Sequence, residues 1–398
     1  MSDTPRPAGH IREVFSAFLL LGLTSFGGPI AHLSYFRSEF VERRRWLSEQ
    51  AYADLVALCQ FLPGPASSQV GFALGLMRAG PWGAAAAWAA FTLPSAIMLV
   101  VFALGAAALD GPVSQGIIHG LKVTAVAIVA HAVWGMARNL CPDPRRAGIA
   151  LAAVFTVVLV NGPPGQVAAI VIGALAGMVL CRTNTEAGAD FHDLPLPVST
   201  RAGHLAVLAG IALLVGLPLL AWSSPSVTLA IMDAFYRAGA LVFGGGHVVL
   251  PLLEVEVVQS GWVSADEFLA GYGAAQAVPG PLFTFAAYLG AVMTGSLPGA
   301  ALALLMIFLP GILLLVAVLP YWNRFRRSNN AQALMRGANA AVVGILGAAL
   351  YQPVWTSAIL GPHEFALALT GLLLLSVWKL PAWAVVIILA GGGIFITM

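Results

Sequence analysis

Phe26-Gly27-Gly28-Pro29, followed by Pro63-Gly64-Pro65, returns about 216 residues later as Phe243-Gly244-Gly245-Gly246, followed by Pro279-Gly280-Pro281. Each cluster interrupts an apolar run with helix-breaking residues: glycine frees the backbone, and proline fixes φ and lacks an N–H. Non-helical backbone at bilayer depth is tolerated only where it is buried in protein or lines a polar cavity. Interrupted segments at matching positions of two halves point to the ligand site of a membrane carrier.

The rest of the chain agrees with a membrane setting. Of 398 residues, 59% are hydrophobic and only 9% charged, whereas soluble domains carry roughly a quarter charged residues. The net charge of +2 and the absence of any basic run longer than Arg43-Arg44-Arg45 argue against a nucleic-acid partner. Cys59, Cys141 and Cys181 are odd in number and far apart. They suggest neither a disulfide framework nor a zinc site and read as small packing residues. The first apolar stretch follows the acid-containing head with Asp3 and Glu13 and has no Ala-x-Ala site, so it is expected to remain in the mature protein.

Apolar stretches near 14–36, 51–79, 83–109, 113–140, 147–161 and 165–182 form a first half. Residues 182–201, with Asp190, Asp193, Pro195 and Pro197, read as an extramembrane linker, and a solitary stretch follows at 203–222. The series then repeats near 229–251, 266–295, 298–321, 331–351, 364–379 and 381–397. Phe18, Gly22, Gly83, Pro94 and Gly120 align with Phe235, Gly239, Gly299, Pro310 and Gly337. The expected division is residues 1–182, a connector at 183–225, and residues 226–398.

One connecting span beyond six segments makes the halves enter from opposite sides, as an inverted repeat. Reading 14–45 and 51–79 as re-entrant hairpins gives arms of about 12–14 residues, roughly 20 Å of helix, too short for a core of about 30 Å. That reading puts Arg6, Arg12, Arg37, Arg43–Arg45, Arg78, Arg138, Arg145, Arg146, Arg182, Arg201, Arg324, Arg326, Arg327, Arg336 and Lys379 on one side, which should be cytoplasmic. Full spans would place Arg37 and Arg43–Arg45 outside. Both readings put the N-terminus in and the C-terminus out. The fold expected is all-α and polytopic, two homologous halves with broken, re-entrant helices.

Four breaks meeting at mid-membrane would turn half-helix ends toward one cavity, and helix N-termini favour anions. The candidate ligand residues are therefore Gly27, Gly28, Pro29, Pro63, Gly64 and Pro65 with Gly244, Gly245, Gly246, Pro279, Gly280 and Pro281. Ser67, Ser68 and Thr284 supply nearby hydroxyls. Gln60 and Gln276, each three residues before a Pro-Gly-Pro, suit an oxyanion or a broken backbone. His32 and His247 follow the glycine clusters and fit anion donation, proton transfer or packing. Lys122 and Arg336, at neighbouring turns of repeat-related helices, offer a cation from each half; snorkelling to the interface is the competing role. Glu39 and Glu256 are matched carboxylates, read as partners for nearby arginine. Asp54 has no counterpart in the repeat. No nucleotide loop, His-Glu-x-x-His or G-x-S-x-G motif occurs, so no enzyme and no cofactor is expected.

At these residues the chain resembles the chromate ion transporter (CHR) family in its long, two-domain form. The resemblance rests on Phe26-Gly27-Gly28-Pro29 with His32, Trp46-Leu47, Gln60 to Pro65, Phe243 to Gly246, and Gln276 to Pro281, and it covers nearly the whole chain. Gly246 in place of Pro29, and a second half without the arginine-rich arm, depart from strict symmetry. The resemblance implies efflux of chromate across a bacterial inner membrane, with the lipid bilayer as solvent. Sulfate or another tetrahedral oxyanion is the alternative cargo; a channel or an intramembrane enzyme is a more distant reading. A homodimer stays open.

Overall fold

The computed structural model describes residues 10–106, 111–182, 198–322 and 328–397, and within these the chain is helical with no strand. In the first half α1 (Ile11–Thr24), α2 (Gly28–Phe36, continued by a π-helical turn to Arg43) and α3 (Glu49–Phe61) precede the long α4 (Ala66–Ala106). Then come α5 (Pro112–Leu140), α6 (Pro144–Leu159), α7 (Pro163–Leu180) and α8 (Thr200–Ser223). The second half contains α9 (Val227–Ala240), α10 (Val249–Val257), α11 (Ala265–Ala277), α12 (Phe285–Thr294) and α13 (Leu297–Val318). It ends with α14 (Asn329–Ala349), α15 (Pro362–Ser376) and α16 (Ala382–Thr397). Arg6, Asp190, Asp193, Pro195, Pro197, Arg324, Arg326 and Arg327 lie outside the described residues.

Local chemistry sets the helix starts. Ser48, Asp143, Ser199, Ser226, Ser264, Ser296 and Ser328 each accept a backbone N–H from the first turn of the following helix, satisfying a donor with no helical partner. Among the described residues, six helical stretches are long and apolar enough to cross a bilayer, and others are too short. The short ones include arms flanking the Gly/Pro breaks, and also α6, α15 and α16. At 14 residues, α1 is about 21 Å long, against a hydrocarbon core of about 30 Å.

The first-half arms form re-entrant hairpins, and three basic residues show it. Arg78, at the end of the first arm of α4, binds Glu13 at the start of α1 at 3.0 Å. Arg44, just past the α2 arm, lies 3.8 Å from the same Glu13, and Arg37 meets Glu49 at the start of α3 at 2.7 Å. All four outer arm ends therefore lie on one side. Trp46 packs beneath both guanidiniums, 5.8 Å from Arg44 and 5.3 Å from Arg78. Beyond Arg78 the helix breaks at Ala79 and Gly80, whose φ/ψ are non-helical, and the second arm of α4 turns back as a full span. In the second half Arg237 joins Asp233 of α9 to Glu256 of α10 at 2.9 Å each. Tyr288 of α12 donates to the Glu267 carbonyl at the start of α11 at 2.9 Å.

Small residues let the helices approach, the usual packing device in lipid. A Cβ on Gly22 would fall 2.8 Å from the Ala90 carbonyl oxygen, and its repeat mate Gly239 lies against Ile307 in the same way. Gly120 packs on Leu389 and Ala390, while Gly337 packs on Gly173 and Gly177. These contacts run α5 antiparallel to α16 and α14 antiparallel to α7. The hairpins of the first half enclose an aromatic core of Phe18, Phe36, Phe40 and Phe91. A larger core spans α5 and the second half. By contrast α8 is the least buried of the long helices and lies at the periphery against α9 and α13.

Candidate functional site

The four breaks meet, and they meet across the repeat. Leu62 leaves α3 extended, and the N–H of Gly64 donates to the carbonyl of Val242 at 2.7 Å. In the mirror arrangement Val278 leaves α11 extended, and the N–H of Gly280 donates to the carbonyl of Ser25 at 2.9 Å. Each Pro-Gly-Pro loop thus completes the hydrogen bonding of the other half's Gly-rich loop. Both glycines are obligatory here. Gly64 has φ +118° and Gly280 has φ +103°, a region closed to residues with a Cβ. Added Cβ atoms would lie 3.1 Å from Gly311 Cα and 2.7 Å from Ser95 Oγ respectively. Gly311 and Ser95 follow the matched Pro310 and Pro94. The amide of Gln69 locks the first junction by donating to the carbonyls of Pro63 at 3.0 Å and Gly311 at 2.9 Å. The two glycine clusters also touch, since a Cβ on Gly246 would sit 3.2 Å from the Pro29 ring.

The chemistry around the junction is lopsided. In the first half, α4 begins immediately after Pro65, and its first-turn Ser67 and Ser68 are 2% and 4% exposed. His32 is 1% exposed, with Nδ1 3.4 Å from Ser67 Oγ and its ring edge-on to Phe91. Among the described residues, His32 Nε2, Ser68 Oγ, Ser25 Oγ and Thr92 Oγ1 are buried without hydrogen-bond partners. Buried polar atoms are nearly always paired, so these four, with the orphan N–H groups at the buried start of α4, are unspent polar groups of a kind suited to an anion.

The second half is more fully satisfied. His247 Nδ1 is 2.8 Å from the Tyr272 hydroxyl, and Thr284 donates its hydroxyl back to Pro281 at 2.7 Å. Thr284 therefore caps its own turn and does not serve as the donor expected from its sequence position. Gln276 Nε2 and Asn339 Oδ1 are buried and unpaired among the described residues. Asn339 faces Gly244: a Cβ there would come within 3.5 Å of Oδ1. Gln60 is exposed, unlike its mate Gln276.

The expected cationic pair is not brought together. Lys122 Nζ binds Asp266 Oδ1 at 2.9 Å, and one turn earlier His119 lies 3.3 Å from Glu364. Arg336 instead donates to the Cys181 carbonyl at 3.0 Å, at the end of α7. The level of Arg336 corresponds to the C-terminal end of α5, about 25 Å along that helix from Lys122 at 1.5 Å per residue. The repeat explains the miss. Both residues sit in the first half of their helices, and α5 and α14 begin at opposite ends of the bundle. Glu39 is held by Arg43 at 2.9 Å and by Arg44, so the matched carboxylates are arginine partners in both halves.

Sequence reading missed Ser25, Thr92, Val242 and Asn339. Asn339 was within reach as the repeat mate of Lys122, and Ser25 as the residue preceding Phe-Gly-Gly. Val242 contributes only backbone, which side-chain chemistry does not reveal.

Comparison with known proteins bears on this geometry. The family model described as chromate transporter matches residues 12–178 and 229–396. The probable chromate transport protein of Synechococcus elongatus is 30% identical over 406 residues, covering 98% of this chain and 96% of that protein. The chromate transport protein of Pseudomonas aeruginosa is 27% identical, covering 96% of this chain and 90% of that one. That of Cupriavidus metallidurans is 26% identical, covering 94% and 90%. No solved structure matches the chain.

Proposed function

Since the chain belongs to the chromate transporter family, whose members are carriers and not enzymes, we propose that it exports chromate from the cytoplasm through the junction of its broken helices. The carrying observation is the reciprocal pair Gly64 N–H to Val242 and Gly280 N–H to Ser25. It supports a single shared site at the interface of two halves inserted in opposite orientations, spanning residues 1–182 and 226–398 with a connector between. Inverted repeats of this kind alternate access by rocking one half against the other.

In this reading the dianion sits at the buried start of α4. Ser67, Ser68, His32 and the first-turn N–H groups donate to its oxygens, and Gly27, Gly28, Gly244 and Gly245 let backbone approach it. Gln276, whose Nε2 is unpaired among the described residues, contributes an amide donor from the second half. Lys122, already paired with Asp266, is left out of the site. The arginines gathered on one face support a cytoplasmic side there, with the N-terminus inside and the C-terminus outside, and the family supports the bacterial inner membrane as the setting.

The membrane potential is a sufficient driving force. An interior-negative potential contributes about 2.3 kcal/mol per charge per 100 mV, so a departing dianion gains roughly 4–5 kcal/mol. Import would need more than two protons per dianion to carry net positive charge inward. Export needs no coupled proton on energetic grounds.

Sulfate has the same charge and tetrahedral shape and is the competing cargo. Chromate flux in reconstituted liposomes, measured with excess sulfate, grades the two. Saturable flux that sulfate suppresses only weakly supports chromate as the cargo. Sulfate transported at equal or greater efficiency moves the assignment to sulfate, and flux that never saturates would indicate a channel.

A further inference from the structure

On the arginine-rich side, a cavity of about 560 Å³ opens between the start of α6, the end of α7 and the start of α14. It is lined by Arg145, Arg146, Arg182 and Arg336, with Asp143 and Cys181, so four guanidiniums face one carboxylate. A solvated basic face would leave such side chains loose, but three of these are anchored. Arg145 donates to the Leu180 carbonyl at 3.2 Å and Arg336 to the Cys181 carbonyl at 3.0 Å. Arg146 is held at 2.6 Å by Asp143, which also accepts the Arg146 backbone N–H. A guanidinium carries five N–H donors in a fixed fork, so anchoring one edge of Arg145 presents the others in a defined direction.

The cavity is also placed where an anion would be useful. Arg336 lies three residues before Asn339, on the same face one turn away, and Asn339 faces Gly244 at the broken-helix junction. The pocket therefore sits about one helical turn on the arginine-rich side of the second half's glycine loop. Its lining includes the exposed apolar Leu180, which also opens it toward lipid.

We infer that this four-arginine pocket is a second binding site for a tetrahedral oxyanion group, at the cytoplasmic approach to the junction. The inference rests on the oxyanion-carrier reading for its choice of ligand. The group reaches it from two sources, as the free anion in water or as the phosphate of an anionic lipid headgroup, which basic pockets between helices are suited to hold.

Equilibrium dialysis of radiolabelled chromate, the cargo proposed for the junction, against the full-length protein in nanodiscs tests this without any flux. In phosphatidylcholine nanodiscs the wild type should bind two equivalents, and Arg145→Gln/Arg182→Gln, which alters two exposed side chains, should bind one. Asp143→Asn, which removes the opposing charge, should tighten the second equivalent about three-fold, a gain that misfolding cannot produce. If phosphatidylglycerol nanodiscs abolish that equivalent, the headgroup is the natural occupant; if it persists, the free anion is. One equivalent in the wild type and the same one in the double variant would overturn the pocket and leave the junction site standing. One in the wild type and none in the double variant would keep the pocket and remove the junction site.

Discussion

Gly64 of the first half donates its amide proton to the carbonyl of Val242 in the second, 2.7 Å away. An intramembrane backbone bond between halves, repeated in mirror form by Gly280 and Ser25, ties each broken helix to its counterpart. Unpaired backbone groups cost several kcal/mol in hydrocarbon, so this exchange makes the breaks affordable only in the assembled pair of halves. Gly64→Ala and Gly280→Ala should therefore behave alike. Each should lower the denaturation midpoint in detergent, by a loss of about 1–3 kcal/mol, and abolish flux. A wild-type midpoint in either would mean that the left-handed glycine is dispensable.

Ser68 and Thr284 make a contrasting pair, since each follows a Pro-Gly-Pro and each is buried. Ser68 Oγ is unpaired among the described residues, whereas the Thr284 hydroxyl is spent on Pro281. A hydrogen bond to a charged group contributes about 1.5–3 kcal/mol. Ser68→Ala should raise the half-saturating chromate concentration about ten-fold or more, and Thr284→Ser should leave it unchanged. Equal effects from the two would remove the α4 start from the site.

Lys122→Gln should leave the half-saturating concentration within about two-fold of wild type. Its partner Asp266 has a side chain 64% exposed while that of Lys122 is 10% exposed, so the pair is screened on one side and its loss should lower the denaturation midpoint only modestly, by about 1 kcal/mol. A large rise in half-saturation would bring Lys122 back to the cargo.

Asp143 carries a pH signature. The Arg146 backbone N–H, and then its guanidinium, hold this carboxyl below its ordinary range. A depressed folded-state value stabilises the fold above the unfolded value and loses that contribution as pH falls through the folded one. The midpoint difference between wild type and Asp143→Ala should be flat from about pH 8 to 5 and shrink only in stronger acid. A difference that vanishes near neutral pH would show that the α6 cap is not ionic.

The fold was legible because helix-breaking chemistry is local. Glycine and proline at 27–29, 63–65, 244–246 and 279–281 mark breaks regardless of tertiary context. Arg78 against Glu13 is the sort of partnership that arginine counting implies. The site was less legible. Lys122 and Arg336 look equivalent on a helical net, but one pairs with Asp266 and the other with the Cys181 carbonyl at the end of α7. The orphan atoms of Ser25 and Thr92 are defined by what is missing around them, and only a packed structure reveals that.

The most direct measurement is chromate uptake into inverted membrane vesicles under an imposed, lumen-positive potential. The account predicts saturable accumulation that grows with the potential, consistent with a departing dianion, and that is lost in Gly64→Ala. Folded protein whose vesicles accumulate no more chromate than empty ones at any potential would contradict it.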